Sequence, residues 1–291
     1  MRFKVRKLET EKAVKKKVLI ITYYWPPAGG PGVQRVLKFV KYLPQFGWEP
    51  IVLTVKNGEY PAIDHSLEKD IPAGIKVYKT RTIEPFRIFK FLSGKSKGQQ
   101  IATFILDQQK QSLSDKLFAW IRSNVFLPDA RIGWFPFAYR KAKKIIRSEA
   151  IDIVFTSSPP HSLQLIGLRL KKYLKIKWVA DFRDPWVDAF WEAGEKRTIF
   201  SKNIINKQEK KVFENADKVI TVSPTLQKKF GINFNRKIEF IANGYDEDDI
   251  AKIEIKKSEK IVLRYFGSIA RSQYPKNLFD FILKYSPDNF K

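Results

Sequence analysis

The sequence predicts an α/β protein built on a doubly wound, Rossmann-like parallel sheet, and three observations carry that prediction. Short apolar segments with the length of buried strands alternate with amphipathic segments of helical periodicity. A glycine-rich loop follows the first apolar segment, and polar residues follow several later ones. Hydrophobic residues make up 44% of the 291 residues, which is enough for a large core. Such alternation favours parallel strands covered by helices on both faces.

The segment 17–36 is predicted to contain a strand, the glycine loop and the start of a helix. The loop residues are Gly29, Gly30 and Gly32. Apolar residues then recur at helical spacing, and Arg35 is predicted to lie outside their face. A glycine loop at a helix start can bring backbone N–H groups close to a phosphate. Its spacing matches neither Walker A nor G-x-G-x-x-G, so a plain tight turn is the alternative.

The later elements follow from the same signals, taken in chain order. Further strands are predicted at residues 50–55, 75–80, 151–156, 176–181, 218–222 and 237–241. Helices are predicted at residues 133–150, 162–174 and 198–215, and a short one begins at Ser223-Pro224.

Residues 84–128 interrupt this alternation with two basic, aromatic pieces, 86–92 and 116–127. In the second piece Phe118, Ile121 and Val125 would share one face of a helix. That pattern fits a helix packed on the core or an interfacial helix on a membrane.

Composition narrows the classes of function. The net charge of +25 favours phosphate-bearing partners, namely an anionic membrane, a nucleotide or nucleic acid, with a solvated basic surface as the plainer explanation. No RNP, KH or helix-turn-helix motif is present, so no specific nucleic acid is expected. The chain has no Cys, and His65 and His161 lack a metal-ligand spacing, so no metal is expected. Lacking signal-peptide and membrane-spanning patterns, the chain is expected in the cytoplasm, with peripheral binding to the inner membrane face as an addition.

Polar residues follow several predicted strands, and a parallel sheet places those strand ends at one edge, where ligands bind. Besides the glycine loop they are Ser157, Ser158, His161, Arg183, Asp184 and Ser223. Each has a plainer interpretation when taken alone. The serines would cap helices, His161 would be a surface histidine, and Asp181 and Asp184 would pair with Arg183. Four such groups on one edge favour a site.

Five motifs, in this order, resemble the amino-terminal half of a bacterial family 4 glycosyltransferase. They are the Gly-Gly-Pro-Gly loop, the S-S-P-P-H turn ending at His161, D-F-R-D-P-W at 181–186, A-D-K-V-I-T-V-S at 216–223 and I-A-N-G-Y-D at 241–246. The resemblance spans residues 17–277 and implies the GT-B architecture, in which two Rossmann-like domains face each other across a cleft. It also implies transfer of a sugar from a nucleotide diphosphate donor, with retention of configuration and without a cofactor. The acceptor would be a glycan or lipid-linked molecule of surface or extracellular polysaccharide or glycolipid assembly.

The same resemblance assigns roles to individual residues. His161 and Asp184 become candidate catalytic residues, and the family often has a histidine slightly earlier than His161, at the position of Ser157 or Ser158. The residues expected to bind substrate or donor phosphate are Gly29, Gly30, Gly32, Ser157, Ser158, Arg183, Asn243 and Gly244, the last two in the interdomain linker.

The resemblance also divides the chain. It implies a charged tail (1–16), an acceptor-side domain (17–242), a linker (243–260) and the start of a donor-binding domain (261–291). The family's paired glutamates, E-x7-E, do not follow the linker, and Glu239 and Glu247 have that spacing only across a strand and the linker. We therefore expect an incomplete second domain and a fragment without a donor pocket. The alternative function is a non-catalytic membrane- or acceptor-binding domain.

Overall fold

Seven parallel strands form one sheet in a computed structural model that describes residues 15–84, 113–187, 197–249 and 274–285. Their order across the sheet is β3-β2-β1-β4-β5-β6-β7. The strands are β1 (Lys16–Ile21), β2 (Trp48–Val55), β3 (Lys76–Thr80), β4 (Ile153–Ser158), β5 (Lys177–Phe182), β6 (Lys218–Thr221) and β7 (Glu239–Phe240). The order reverses between β1 and β4, which is where ligands bind in open parallel sheets.

Helices cover both faces of this sheet, which confirms the predicted Rossmann-like fold. In the part of the chain up to residue 244, the helices are α1 (Pro31–Tyr42), α2 (Leu113–Asn124), α3 (Phe135–Ser148), α4 (Ser162–Leu174), α5 (Ile199–Asn215) and α6 (Pro224–Phe234). Alternate residues of β1 point to opposite faces. Leu19 packs in a cluster with side chains of α3 to α6, whereas Ile20 packs with those of α1.

The predicted elements are present with shifted ends, and two shifts change the interpretation of side chains. Strand β4 continues through Ser157 and Ser158, which pair with Asp181 and Phe182 of β5. The serines therefore lie in the sheet and not in the turn after it. Helix α2 ends before Val125, which is 61% exposed, whereas Phe118 is buried, so the predicted shared face is wrong for Val125.

The chain divides into two compact units, residues 1–244 and residues 245–291. The second unit contains helix α7 (Lys276–Tyr285), which carries the ion pair between Lys276 and Asp280. The basic piece 86–92, the first residues of the predicted donor-binding domain (261–273) and most of the tail 1–16 lie outside the described residues. The domain assignments therefore stay a prediction. None of the described helices is both long and apolar enough to cross a bilayer.

A buried charge cluster joins the loops that follow the first three strands. The Arg131 guanidinium donates to the Glu59 carboxylate at 2.8 Å and to the Glu84 carboxylate at 2.6 Å. The Tyr23 hydroxyl also donates to Glu84, and burial raises the pKa of that hydroxyl, which keeps it protonated. The Glu84 side chain has no solvent exposure, so its charge depends on these partners.

We expect Arg131→Met to lower the free energy of unfolding by about 3–5 kcal/mol, because it leaves the buried Glu84 carboxylate without its cation. Urea denaturation at pH 7 measures the change. The matched control is Lys210→Met, which removes the exposed i,i+4 pair with Glu214 and should cost less than about 1 kcal/mol. Equal effects of the two substitutions would contradict the structural role of Arg131.

Candidate functional site

A buried ion pair lies at the carboxyl ends of the central strands. The Arg35 guanidinium of α1 donates to both carboxylate oxygens of Asp181 at the end of β5, at 2.8 and 3.1 Å. The side chains are 3% and 0% exposed. The expectation that Arg35 lies outside the buried face of its helix is wrong. Helical periodicity assigns only apolar residues to the buried face of a helix. The side chain of Arg35 is long enough to reach the buried carboxylate of Asp181 at the edge of the sheet.

The serines of β4 hold Asp181 in place. Ser157 Oγ donates to the Asp181 carboxylate at 2.7 Å, and Ser158 Oγ donates to the Asp181 backbone carbonyl at 3.3 Å. Both serines are buried, so the cap interpretation is wrong for each. Asp129 caps α4 instead, by accepting from the Ser162 N–H at 2.8 Å. Ser157 and Ser158 thus position the ion pair in this structure, and their predicted contact with phosphate stays untested.

The glycine loop meets Arg183 at the start of α1. A Cβ atom on Gly32 would lie 1.7 Å from Nη1 of Arg183, so only glycine leaves room for this guanidinium. Gly30 is the residue before α1 and has a φ of 105°, which other residues rarely adopt. Gly29 has an ordinary role, because its N–H donates to the Ala62 carbonyl at 2.9 Å. The loop therefore places a cation beside a helix N-terminus.

Arg183 is held by backbone carbonyls. Its guanidinium donates to the Ser158 carbonyl at 3.2 Å and to the Pro159 carbonyl at 2.6 Å. Among the described residues it forms no salt bridge with Asp181 or Asp184, so the predicted pairing is wrong. Burial lowers the pKa of Arg183, and the carboxylates of Asp181 and Asp184 partly oppose that effect. Burial also raises the pKa of Asp184.

His161 is buried and stacked, contrary to the surface interpretation. Its ring lies parallel to that of Trp186, with centroids 5.2 Å apart. In the part of the chain that the structure describes, neither His161 Nδ1 nor Trp186 Nε1 has a hydrogen-bond partner. Burial, reinforced by the charge of Arg183, lowers the pKa of His161 to about 3. The imidazole is therefore neutral near pH 7.

The remaining predicted site residues differ in position. Asn243 Oδ1 accepts from Arg35 at 3.0 Å, and the Ile241 carbonyl accepts from the same guanidinium at 3.0 Å. Gly244 is exposed, with nothing within 4 Å of an added Cβ. Ser223 caps α6 by accepting from the Leu226 N–H at 3.2 Å, which confirms its plainer interpretation.

A pocket lies along the same edge of the sheet, at the ends of β2 and β3. This pocket encloses about 540 Å³. Its lining combines aromatic rings with two lysines and includes Trp25, Thr54, Lys56, Asn57, Tyr60 and Lys79. Sequence reasoning missed these residues and Arg35, because they belong to strand ends or helix faces without a recognisable motif. Within the described residues, no group of three His, Asp or Glu side chains could hold a metal ion.

Comparisons with known proteins find one matching family and several distantly similar structures. The sequence model of Glycosyltransferase Family 4 matches residues 29–249. Similar solved structures include sucrose-phosphate synthase from Thermosynechococcus elongatus, with 14% identity, a TM-score of 0.42 and coverage of 79% of this chain and 90% of that one. MurG of Acinetobacter baumannii has 13% identity, a TM-score of 0.37 and coverage of 78% and 45%. A glycosyltransferase from Rickettsia africae has 17% identity, a TM-score of 0.40 and coverage of 93% and 49%.

Two further facts qualify these similarities. No curated protein matches the chain with significance. The match spans about half the length of MurG and of the Rickettsia glycosyltransferase, at 45% and 49% of those chains.

The depressed pKa of His161 predicts a pH-dependent stability. Unfolded histidine binds a proton below about pH 6.5, whereas folded His161 binds one only near pH 3, so the unfolded state gains protons first as pH falls. Stability should therefore be full above pH 6.5 and decline toward pH 3, with a loss of about 2 kcal/mol at pH 5.

Urea denaturation of the wild type and of His161→Gln at pH 7.5, 6 and 5 measures this loss. The variant should lose most of the pH dependence in this range. His65→Gln is the control, because the side chain of His65 is 73% exposed, and it should retain the wild-type slope. Identical slopes for wild type and His161→Gln would show that His161 is not buried in its neutral form.

Proposed function

The chain belongs to glycosyltransferase family 4, and from that premise we propose that it forms the acceptor-side part of a retaining glycosyltransferase that uses a nucleotide diphosphate sugar. Its acceptor would be a glycan or lipid-linked molecule of surface or extracellular polysaccharide or glycolipid assembly. The observation that carries this proposal is the guanidinium of Arg183 packed against Gly32 at the start of α1.

This arrangement suits an anionic leaving group. The N-terminus of α1 carries a partial positive charge, and the Gly32 N–H lies in its first turn, since Pro31 has no N–H and the Val33 N–H donates to the Gly30 carbonyl at 3.1 Å. Arg183 adds a full positive charge beside it, held by two backbone carbonyls. Negative charge grows on the nucleoside diphosphate as the glycosidic bond breaks, and prearranged donors stabilise that charge. Arg35 and Asp181 contribute by fixing the segments around this position.

The pocket at the ends of β2 and β3 is proposed to bind the acceptor. Its half-buried Tyr60 ring suits the apolar face of a sugar, while Lys56 and Lys79 suit a phosphate or carboxylate of the acceptor. The raised pKa of Asp184 would help it exchange a proton with an acceptor hydroxyl. His161 is kept as a catalytic candidate because its neutral imidazole has an unpaired Nδ1. The half-buried Tyr60 ring in the pocket lining and the unpaired Nδ1 of His161 support these roles.

Peripheral binding to the inner face of the membrane is proposed from the surface of α2. Leu117 and Trp120 are 59% and 47% exposed, and basic Lys116 and Arg122 lie on the same helix. Exposed apolar side chains beside basic ones suit a membrane interface.

Co-sedimentation with anionic vesicles should weaken in the double variant Leu117→Ser/Trp120→Ser, because it removes the exposed apolar side chains of α2. Unchanged co-sedimentation of this variant would contradict the proposed location.

We expect Gly32→Ala to reduce sugar transfer about 100-fold or more, because the added methyl group displaces the Arg183 guanidinium from the leaving group. Transfer is measured as release of nucleoside diphosphate, with a panel of nucleotide sugars and a membrane extract as the acceptor source. Arg183→Ala should show a similar loss, and the double variant should lose little more, because both substitutions remove one interaction.

The matched control is Gly231→Ala in α6. A Cβ atom there meets only a backbone oxygen at 3.6 Å, so transfer should stay at the wild-type rate. Wild-type transfer by Gly32→Ala and Arg183→Ala would overturn the assigned site. Acceptor binding by the wild type without any release of nucleoside diphosphate would favour a non-catalytic acceptor-binding domain.

A further inference from the structure

A second basic pocket lies beside the edge strand β3, between the end of that strand and the outer face of α3. It encloses about 310 Å³. Its lining consists of Thr80, Arg81, Phe137, Arg140, Lys141 and Lys144. The three basic residues of α3 share one helix face, because positions three and four residues apart are neighbours. None of the residues that line this pocket belongs to the glycine loop, the Arg183 site or the proposed acceptor pocket.

The charges in this pocket are uncompensated within the described residues. No described acidic side chain lines it, and none of its four cations takes part in a salt bridge with a described carboxylate. Glu149, the residue that follows α3, already binds the Lys76 ammonium at 2.6 Å and the Tyr78 hydroxyl at 2.6 Å. Arg140 and Lys144 repel each other at i,i+4 spacing. A bound anion would relieve that repulsion.

Aromatic rings hold two of the cations in place. The Arg81 guanidinium lies 5.0 Å from the centroid of the Phe137 ring, and the Lys141 ammonium lies 4.4 Å from that of Tyr78. Such contacts already restrict the side chain, so it loses less conformational entropy when it binds a ligand. The Thr80 hydroxyl accepts from Trp134 Nε1 at 2.8 Å, which leaves its own hydrogen available to a further acceptor.

We propose that this cluster binds a phosphate group, carried either by a soluble phosphate ester or by the headgroup of an anionic lipid. The planar guanidinium groups of Arg81 and Arg140 can each donate two parallel hydrogen bonds to phosphate oxygens, and the lysines add point charges. A solvated basic helix face is the plainer explanation for lysines in a chain of net charge +25. The cations come from two chain segments, the end of β3 and helix α3, and meet at one concave site beside the Phe137 ring. This arrangement favours a phosphate site.

The test compares two double variants that each remove two positive charges at i,i+4 spacing. Arg140→Gln/Lys144→Gln alters the pocket, whereas Lys207→Gln/Lys211→Gln alters the exposed face of α5. The probes are inorganic pyrophosphate, measured by titration calorimetry, and vesicles of phosphatidylglycerol in phosphatidylcholine, measured by co-sedimentation. The variants at α3 should weaken binding of at least one probe by about 25-fold, and the control by much less.

The two probes distinguish the sources of the phosphate. Loss of pyrophosphate binding in the pocket variant assigns the site to soluble phosphate esters, and selective loss of vesicle binding assigns it to lipid headgroups. Equal losses in both double variants would show that net charge alone attracts the probes and would overturn the proposal. Absence of binding of either probe to the wild type would overturn it as well. Circular dichroism checks that all variants keep the fold.

Discussion

The buried pair of Arg35 and Asp181 is the interaction on which the edge of the sheet depends. Two opposite charges with almost no solvent exposure are stable only together, since either one alone would keep its full desolvation penalty. The pair fastens α1 to β5, and through Ser157 and Asn243 it also holds the end of β4 and the segment after β7. Four segments that are distant in sequence thus share one electrostatic centre.

A second buried charge cluster complements this pair at the other end of the same edge. Arg131, Glu59 and Glu84 connect the loops after β2 and β3 to the segment before α3, and Tyr23 adds the turn after β1. The glycine loop follows β1, which borders the switch point of the sheet. In the sequence it lies between Tyr23 of one cluster and Arg35 of the other. Fixed segments on both sides keep the N-terminus of α1 and the Arg183 guanidinium in a defined arrangement, which suits binding of a charged leaving group.

Positive charge on this protein has several distinct local environments. Arg35 and Arg131 are neutralised inside the fold, and the half-buried Arg183 is held by backbone carbonyls and has a lowered pKa. Arg140 and Lys144 face a pocket that is lined by no acidic side chain of the described residues. The net charge of +25 by itself predicts only an attraction to anions. The local environments separate cations that stabilise the fold from those that are available to a ligand.

The sequence by itself determined the alternation of strands and helices, the parallel sheet and the family, because periodicity and turn residues are local signals between neighbouring positions. It also placed the glycine loop and Arg183 at one edge, since parallel strands end together. Only the tertiary structure decided that Ser157 and Ser158 lie within β4 and that His161 is buried against Trp186. It alone paired Arg35 with Asp181, 146 positions away, because that contact depends on how α1 packs across the sheet and leaves no local pattern in the sequence.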